Sequence, residues 1–309
     1  MQLMASWNVD SARRAALAFE KALAIDEAYA PAWAGLAWAR GRLTWMVLDY
    51  PGAAEPSDPA LMLEKELAAA ERAVALAPEN AFALTQRATA HWNNWNWNGA
   101  RADIERALVL DPGSGLTHAS YATILSSITG RADFGLEHLE KATELDPLNG
   151  QRWYSLGDAL CYSGRFDAAR QAEQRSLEID PDNFTSLVGM AYIELWAGRP
   201  AEARIWASKV KGEHRLFLMA VIEHSLGNDA ASREALAELT RKYGHLIPSD
   251  VAFAHAWRGE RDAAFEWLER AVVQRDHGLI WVRKDRMLLP LHSDPRWKAL
   301  LKKMNLPED

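Results

Sequence analysis

Four prolines set the terms on which this chain can fold. Pro78, Pro112, Pro147 and Pro181 stand 34, 35 and 34 residues apart, and each follows by five residues a small side chain, Ala73, Ala107, Ala142 or Ser176. Proline ends a helix because it lacks an amide proton and its ring meets the carbonyl four residues back. A small residue at a fixed distance before each stop marks a place where two helices cross too closely for a long side chain. Regular spacing of this kind belongs to an array in which one supersecondary unit stacks on copies of itself. Length then stops counting domains: 309 residues would ordinarily hold about two, whereas a repeat array is one continuous solenoid domain.

The clearest unit is Gly150 to Asn183, GQRWYSLGDALCYSGRFDAARQAEQRSLEIDPDN. Trp153, Leu156, Gly157 and Leu160 fall at i, i+3, i+4 and i+7, one face of a helix. Gly164 breaks that helix, Ala168, Ala169 and Ser176 supply the small inward face of a second, and Pro181 stops it. An aromatic, a Leu-Gly pair, later small residues and a closing proline resemble the tetratricopeptide repeat pattern. What the resemblance implies is an all-α chain, a right-handed superhelical solenoid of antiparallel helix pairs.

The remaining segments divide accordingly. Residues 1–29 hold part of a unit, with Ala15, Phe19 and Ala22 in the places of Ala169, Glu173 and Ser176, and Glu27 where the closing proline would stand. An array ends in a polar cap rather than half a unit, so the expectation is that the chain starts inside a longer protein or that an upstream segment covers Trp7. Residues 30–80 form a repeat delayed by an insertion containing Pro51, Pro56 and Pro59, with a second helix starting at Asp58 and Pro59; the insertion reads as a tolerated surface loop or, alternatively, as a partner-binding one. Repeats at 81–114, 115–149, 150–183 and 184–212 follow, then a degenerate one at 213–244 and another at 245–276. Residues 277–309 read as an extended segment and a C-terminal capping helix opened by Asp294 and Pro295 and closed by Lys302 and Lys303, whose charges suit a helix C-terminus. Trp297, Leu300, Leu301 and Met304 are its expected buried face.

Charge and cysteine count narrow the function. A formal net charge of −7 lacks the clustered basic face that nucleic-acid binding requires. One cysteine excludes an internal disulfide and a Cys-based zinc site. The longest apolar run, Leu216 to Ile222, is far shorter than the roughly 20 residues that span a bilayer, and the N-terminus has no signal-peptide pattern. The expectation is a cytoplasmic protein that meets neither membrane nor nucleic acid through this region.

Five stretches carry a narrower resemblance: FEKALAIDEAYAPAWAGLAWA, the Trp-rich turn before Ala100, GLTHASYATIL, KATELDPLNGQRWYSLGDAL and LHSDPRWKALLKKMNLP. Together they resemble the C-terminal tetratricopeptide region of a bacterial signalling family, in which that region follows a winged-helix DNA-binding domain, a class III adenylate cyclase domain or a serine/threonine kinase domain. The resemblance implies a sensory or scaffolding module whose partner is a protein or peptide, including an upstream or separately encoded effector domain. The sequence departs from that family in carrying no output domain, in Glu27, and in His292 where an arginine is common.

Catalytic patterns are missing. There is no phosphate-binding glycine loop, no H-E-x-x-H and no G-x-S-x-G. Ser208 and Lys211 form a bare S-x-x-K, His91 and His118 read as packed histidines, and Cys161 has no identifiable base. Asn183-Phe184-Thr185 fits a glycosylation acceptor only formally. The expectation is no enzyme, no catalytic residue, no metal and no cofactor. In HWNNWNWNGA, asparagines suit the turn, and Trp92, Trp95 and Trp97 are read as packing between helices, with ligand stacking as the alternative.

In tetratricopeptide arrays the first helix of each pair lines an inner groove. The corresponding places here are Trp38, Arg42, Trp92, Asn93, Tyr154, Asp158, Tyr162, Tyr192, Trp196, Phe253 and Trp257. In such an aromatic groove the Lys, Arg and Asn that clamp a chaperone's terminal carboxylate are nearly missing, which disfavours that subclass. Two functions remain: a non-catalytic scaffold that holds an extended peptide against Tyr154, Tyr162, Tyr192 and Trp196, with Asp158 pairing a ligand cation, or a small-molecule sensor or enzyme with a pocket between the groove and the Trp-rich turn. The alternative is that several of these rings pack between neighbouring repeats instead, since each can turn either way.

Overall fold

The computed structural model describes residues 9–49 and 58–306. Trp7 and the insertion prolines Pro51 and Pro56 lie outside the described residues. Every described element is helical, as the repeat pattern requires. The chain divides into two compact units, Met1–Leu125 and Ser126–Asp309. The first contains α1 (Val9–Ile25), the pair α2 (Ala30–Asp49) and α3 (Pro59–Leu76), the pair α4 (Ala81–Asn93) and α5 (Trp97–Leu110), and the greater part of α6 (Gly115–Thr129). The second holds the end of α6, then α7 (Leu136–Leu145), α8 (Gly150–Tyr162) with α9 (Phe166–Ile179), and α10 (Phe184–Trp196) with α11 (Pro200–Ala207). It continues through α12 (Gly212–Ser225) with α13 (Asp229–Tyr243), α14 (Pro248–Trp257) with α15 (Arg261–Gln274), and α16 (Pro295–Lys303).

Local chemistry explains the boundaries. Each closing proline sits two residues before a residue whose side chain caps the next helix. Asn80 accepts a hydrogen bond from Ala83 N, Ser114 from Thr117 N, Asn149 from Gln151 N and Asn183 from Ser186 N. Those oxygens satisfy amides that a helix start leaves without partners. Asp58 caps α3 through Ala60 N and Leu61 N with Pro59 at its first position, and Asp294 caps α16 with Pro295 in the same role.

Packing explains the small residues. Ala73, Ala107, Ala142 and Ser176 are all 0% exposed, at the place where a second helix meets its neighbours. Ser176 differs from the alanines because its hydroxyl is used: it donates to Gly150 O at 2.8 Å and accepts from Ser186 Oγ at 2.8 Å and Asn183 Nδ2 at 3.1 Å. The turn inside a pair has its own requirement. Gly164, Gly198, Gly227 and Gly259 have φ between 76° and 81°, a region where any Cβ crowds the following carbonyl.

Residues 277–294 correct the expectation of an extended segment. They form two 3-10 turns, His277–Trp281 and Arg286–Leu291, with Leu279, Ile280, Val282, Met287, Leu288 and Leu291 buried. Apolar side chains this dense pull the backbone into tight turns that bury these six, while Leu289 stays 50% exposed. After them α16 closes the array: Trp297, Leu300 and Met304 are buried, Leu301 is half-buried, Arg296 lies over the Phe265 ring, and Lys303 pairs with Glu269 of α15.

Two substitutions test this packing. Ala107→Leu forces a four-carbon side chain into a full contact and is expected to lower unfolding free energy by about 1–3 kcal/mol in urea titrations, while the adjacent exposed Arg106→Leu stays within about 0.5 kcal/mol. Trp297→Ala, which empties the contact of the cap, is expected to cost about 3–5 kcal/mol.

Candidate functional site

The second unit brings a row of rings together. Tyr154, Asp158 and Tyr162 recur every four residues on α8, and so share one face. Tyr192 and Trp196 do the same on α10. Tyr162 meets Trp196 with ring centroids 5.2 Å apart, Trp196 stacks on Tyr192 at 5.0 Å, and Tyr192 meets Phe217 of α12 edge-on at 6.3 Å. Trp196 keeps its indole N–H without an acceptor. Phe253 of α14 is buried, and Trp257 donates to Ser225 Oγ at 2.9 Å.

Across this row the chain lays its own residues 276–291. The Asp276 carboxylate accepts from Ser249 N at 2.7 Å and Gly278 N at 2.9 Å, anchoring the segment at the start of α14. Farther on, Arg283 donates to Ile128 O at 2.7 Å, and Arg286 donates to Tyr162 O at 3.3 Å. Between them Lys284 enters the place that sequence reasoning reserved for a ligand cation. Its ammonium lies 3.4 Å from Asp158 Oδ2, 4.5 Å from the Tyr162 centroid and 4.4 Å from that of Trp281, and its side chain is 3% exposed. Asp158 therefore has an internal partner. The next residue, Asp285, accepts from Met287 N at 2.8 Å and from the Tyr162 hydroxyl at 3.4 Å.

Burial dominates the electrostatics. It raises the pKa of Asp158, against the pull of Lys284, although 28% of the Asp158 side chain stays accessible. The same cause lifts Asp285 to about 6, opposed by the Met287 amide and Lys284. Tyr162 and Cys161 are pushed well up, again by burial, with Asp285 adding to the first and Asp158 to the second. A thiol raised in this way is a poor nucleophile. Glu173 of α9 is fully buried, and burial favours its protonated form, opposed by the Ser186 hydroxyl. Glycines make room for it: a Cβ at Gly157 would lie 2.8 Å from Glu173 Oε1 and one at Gly189 2.6 Å. That explains the Leu-Gly pair of α8 as an acid's cradle.

In the first unit the expected groove residues are placed differently. Trp38 and Trp92 are buried, Arg42 lies 4.9 Å over the Trp38 ring, and Asn93 is buried with its amide donating to Glu66 at 2.9 and 3.2 Å. Asn93 thus ties α4 to α3. His118 reaches Pro112 O at 3.0 Å and His91 reaches Asn96 at 3.2 Å, so both histidines have partners inside the chain. Among the described residues no group of three His, Cys, Asp or Glu is placed to hold a metal ion, and no helix is long and apolar enough to cross a membrane.

Sequence reasoning missed Lys284, Asp285 and Glu173. For the first two no short-range signal existed, since Lys284 is 126 residues from Asp158. Glu173 did leave a trace, an acid on the small-residue face of its helix.

The linked groups predict a pH dependence. Asp285 holds its proton more strongly when folded than the usual 3.8, so its stabilising contribution is complete below about pH 4 and lost as pH rises through about 6. Asp285→Asn, which keeps the acceptor for Met287 N, is expected to flatten the stability profile between pH 4 and 7 by at most about 3 kcal/mol relative to the parent. Urea titrations at pH 4.5, 5.5 and 7 read this, and superimposable profiles refute it.

Comparison with known proteins agrees with this architecture. Residues 150–183, which span α8 and α9, match the family model of the tetratricopeptide repeat. The small glutamine-rich tetratricopeptide repeat-containing protein 2 of Mycosarcoma maydis is 34% identical over 86 residues, 28% of this chain and 24% of its own. The chain therefore spans about a quarter of that relative's length. Among solved structures, PilW, a type IV pilus biogenesis factor, superposes with TM-score 0.53 at 21% identity over 67% of this chain and 94% of its own. A tetratricopeptide repeat protein of Parabacteroides merdae gives 0.55 at 14% over 87% and 98%. Human IFIT1, in complex with PPP-AAAA, gives 0.59 at 20% over 87% and 69%. Identities this low speak for the fold alone: an all-α tetratricopeptide-like array of helix pairs, with the repeat itself recognisable at residues 150–183.

Proposed function

We propose that this chain is a non-catalytic scaffold which binds a peptide or protein segment against the first helices of its repeats. In this reading it is the regulatory part of a bacterial cytoplasmic signalling system, whose effector domain lies upstream or is separately encoded. The observation that carries the reading is the way the second unit holds residues 276–291. A lysine seated between two rings and a carboxylate, with backbone amides anchored to carboxylate oxygens, is peptide recognition carried out within one molecule.

This occupancy moves the expected centre of the partner site. Leu279, Ile280, Val282, Met287, Leu288 and Leu291 are each at most 2% exposed, so peeling the segment away costs on the order of 10 kcal/mol or more. A partner of ordinary affinity does not displace it. Tyr162, Asp158 and their neighbours become the floor of the site, and Tyr154, Tyr192 and Trp196 its contact residues. Trp38, Trp92, Asn93 and Trp257 are proposed with less weight, because Asn93 and Trp257 already have hydrogen-bond partners and the other two are buried.

The alternative, a small-molecule sensor or enzyme, has in its favour the shifted Asp158, Tyr162 and Asp285 on one face. Against it stands reach. A catalytic acid or base must come within hydrogen-bond distance of its substrate, and here Lys284, the Tyr162 hydroxyl and the Met287 amide take those positions. The net charge of −7 weighs against RNA of the kind present in the IFIT1 complex.

A partner isolated by affinity capture, its affinity measured by calorimetry, tests the scaffold reading. Trp196→Ala and Tyr192→Ala are expected to weaken it by about 2 kcal/mol or more, roughly thirtyfold, while the rim change Arg42→Ala has a smaller effect. Unchanged affinity for both ring variants, each shown to be folded by circular dichroism, overturns the reading.

A further inference from the structure

Trp95 stands where its counterparts are glycine. Gly164, Gly198, Gly227 and Gly259 each occupy the residue between the cap of a first helix and the start of the second, with positive φ. In the turn between α4 and α5 that residue is Trp95, at φ 59°. A side chain there is strained, because its Cβ crowds the next carbonyl. The turn's helix ends do not need the ring. Asn94 Nδ2 caps Ala90 O at 2.8 Å and Asn96 Oδ1 accepts from Gly99 N at 3.1 Å, so the asparagines on either side satisfy the helix ends. Trp92 and Trp97 are buried among the helices, as expected of this turn, whereas Trp95 stays part-exposed. It lies against Trp97 with centroids 6.5 Å apart and planes 15° from parallel.

How this protein covers four of its other tryptophans shows what an open one takes. Arg42 lies over Trp38 at 4.9 Å, Lys209 over Trp206 at 3.9 Å, Arg270 over Trp267 at 4.3 Å and Lys284 over Trp281 at 4.4 Å. Among the described residues no lysine or arginine covers Trp95. The ion pair that joins α4 to α5 is closed: Arg87 donates to both oxygens of Asp103, at 2.6 and 2.7 Å. A guest cation therefore meets the ring face rather than a competing carboxylate, and the formal charge of −7 draws a basic partner toward the molecule as a whole. We propose that Trp95 is an interaction site on the first unit, stacking a lysine or arginine side chain of a basic polypeptide segment. It is separate from the row on α8 and α10 and does not depend on what that row binds.

The test uses the full chain and two fluorescent nonapeptides, one alternating lysine with glycine and one alternating glutamate with glycine, with affinity read by anisotropy. Trp95→Gly is expected to weaken the lysine peptide about threefold to thirtyfold, the range of exposed to desolvated cation–π contacts. Trp95→Phe falls between, since benzene binds cations less strongly than indole. The melting temperature of Trp95→Gly stays level or rises, because relief of backbone strain offsets the lost stack. Equal affinity of the parent and Trp95→Gly overturns the proposal, and so does equal binding of the glutamate peptide. A melting temperature lowered by more than about 5 °C overturns it too, because the ring is then held for packing. Binding lost in Tyr192→Ala and Trp196→Ala but retained in Trp95→Gly assigns the peptide to the other row and sinks this proposal alone.

Discussion

Close crossing of helices at one small residue per repeat is the constraint on which the rest depends. Ala73, Ala107, Ala142 and Ser176 are sealed, with no room for a longer side chain. Because two helices approach so closely there, the ridges around them interdigitate and neighbouring helices within each unit pack into a core. The prolines five residues later fix where each second helix ends, and the capping residue two further on fixes where the next first helix begins. Fold and register therefore come from a few short-range rules applied again and again.

Polar groups inside such a core are tolerated when geometry makes room for them. The Ser176 hydroxyl joins Gly150, Asn183 and Ser186 in one network, so a serine in an alanine's place ties α9 to the starts of α8 and α10. Glu173 is a different case. With Gly157 and Gly189 backing its carboxyl, burial of the charged form is costly there. Protonation reduces that cost, since a neutral carboxyl loses far less hydration than a carboxylate.

The C-terminal segment converts an open row of rings into a furnished one. Lys284, Asp285 and Arg286 each use α8, and most of the apolar residues before and after them are buried. Charged groups held this way shift one another's proton affinities, as catalytic groups do, yet they are spent on holding the chain together. A cluster of perturbed acids is a sign of function only where something can reach it.

What the sequence determined by itself was everything governed by neighbours in the chain. Helical periodicity, the proline stops, the Asp58 and Asp294 caps, the small positions and the buried face of α16 were legible because each depends on residues within about one or two helical turns. The direction of each aromatic ring was not. A tyrosine at a groove position faces solvent, a neighbouring repeat or a returning strand of the same chain according to what arrives there, and the residues that arrive at Asp158 and Ile128 come from 126 and 155 positions away. Only tertiary structure brings Lys284 between Tyr162 and Trp281, because no local preference encodes a contact whose partners meet solely after the array has closed. Trp95 lies between the two: its residue type was plain in the sequence, while its left-handed backbone, in a place other turns give to glycine, needed the coordinates.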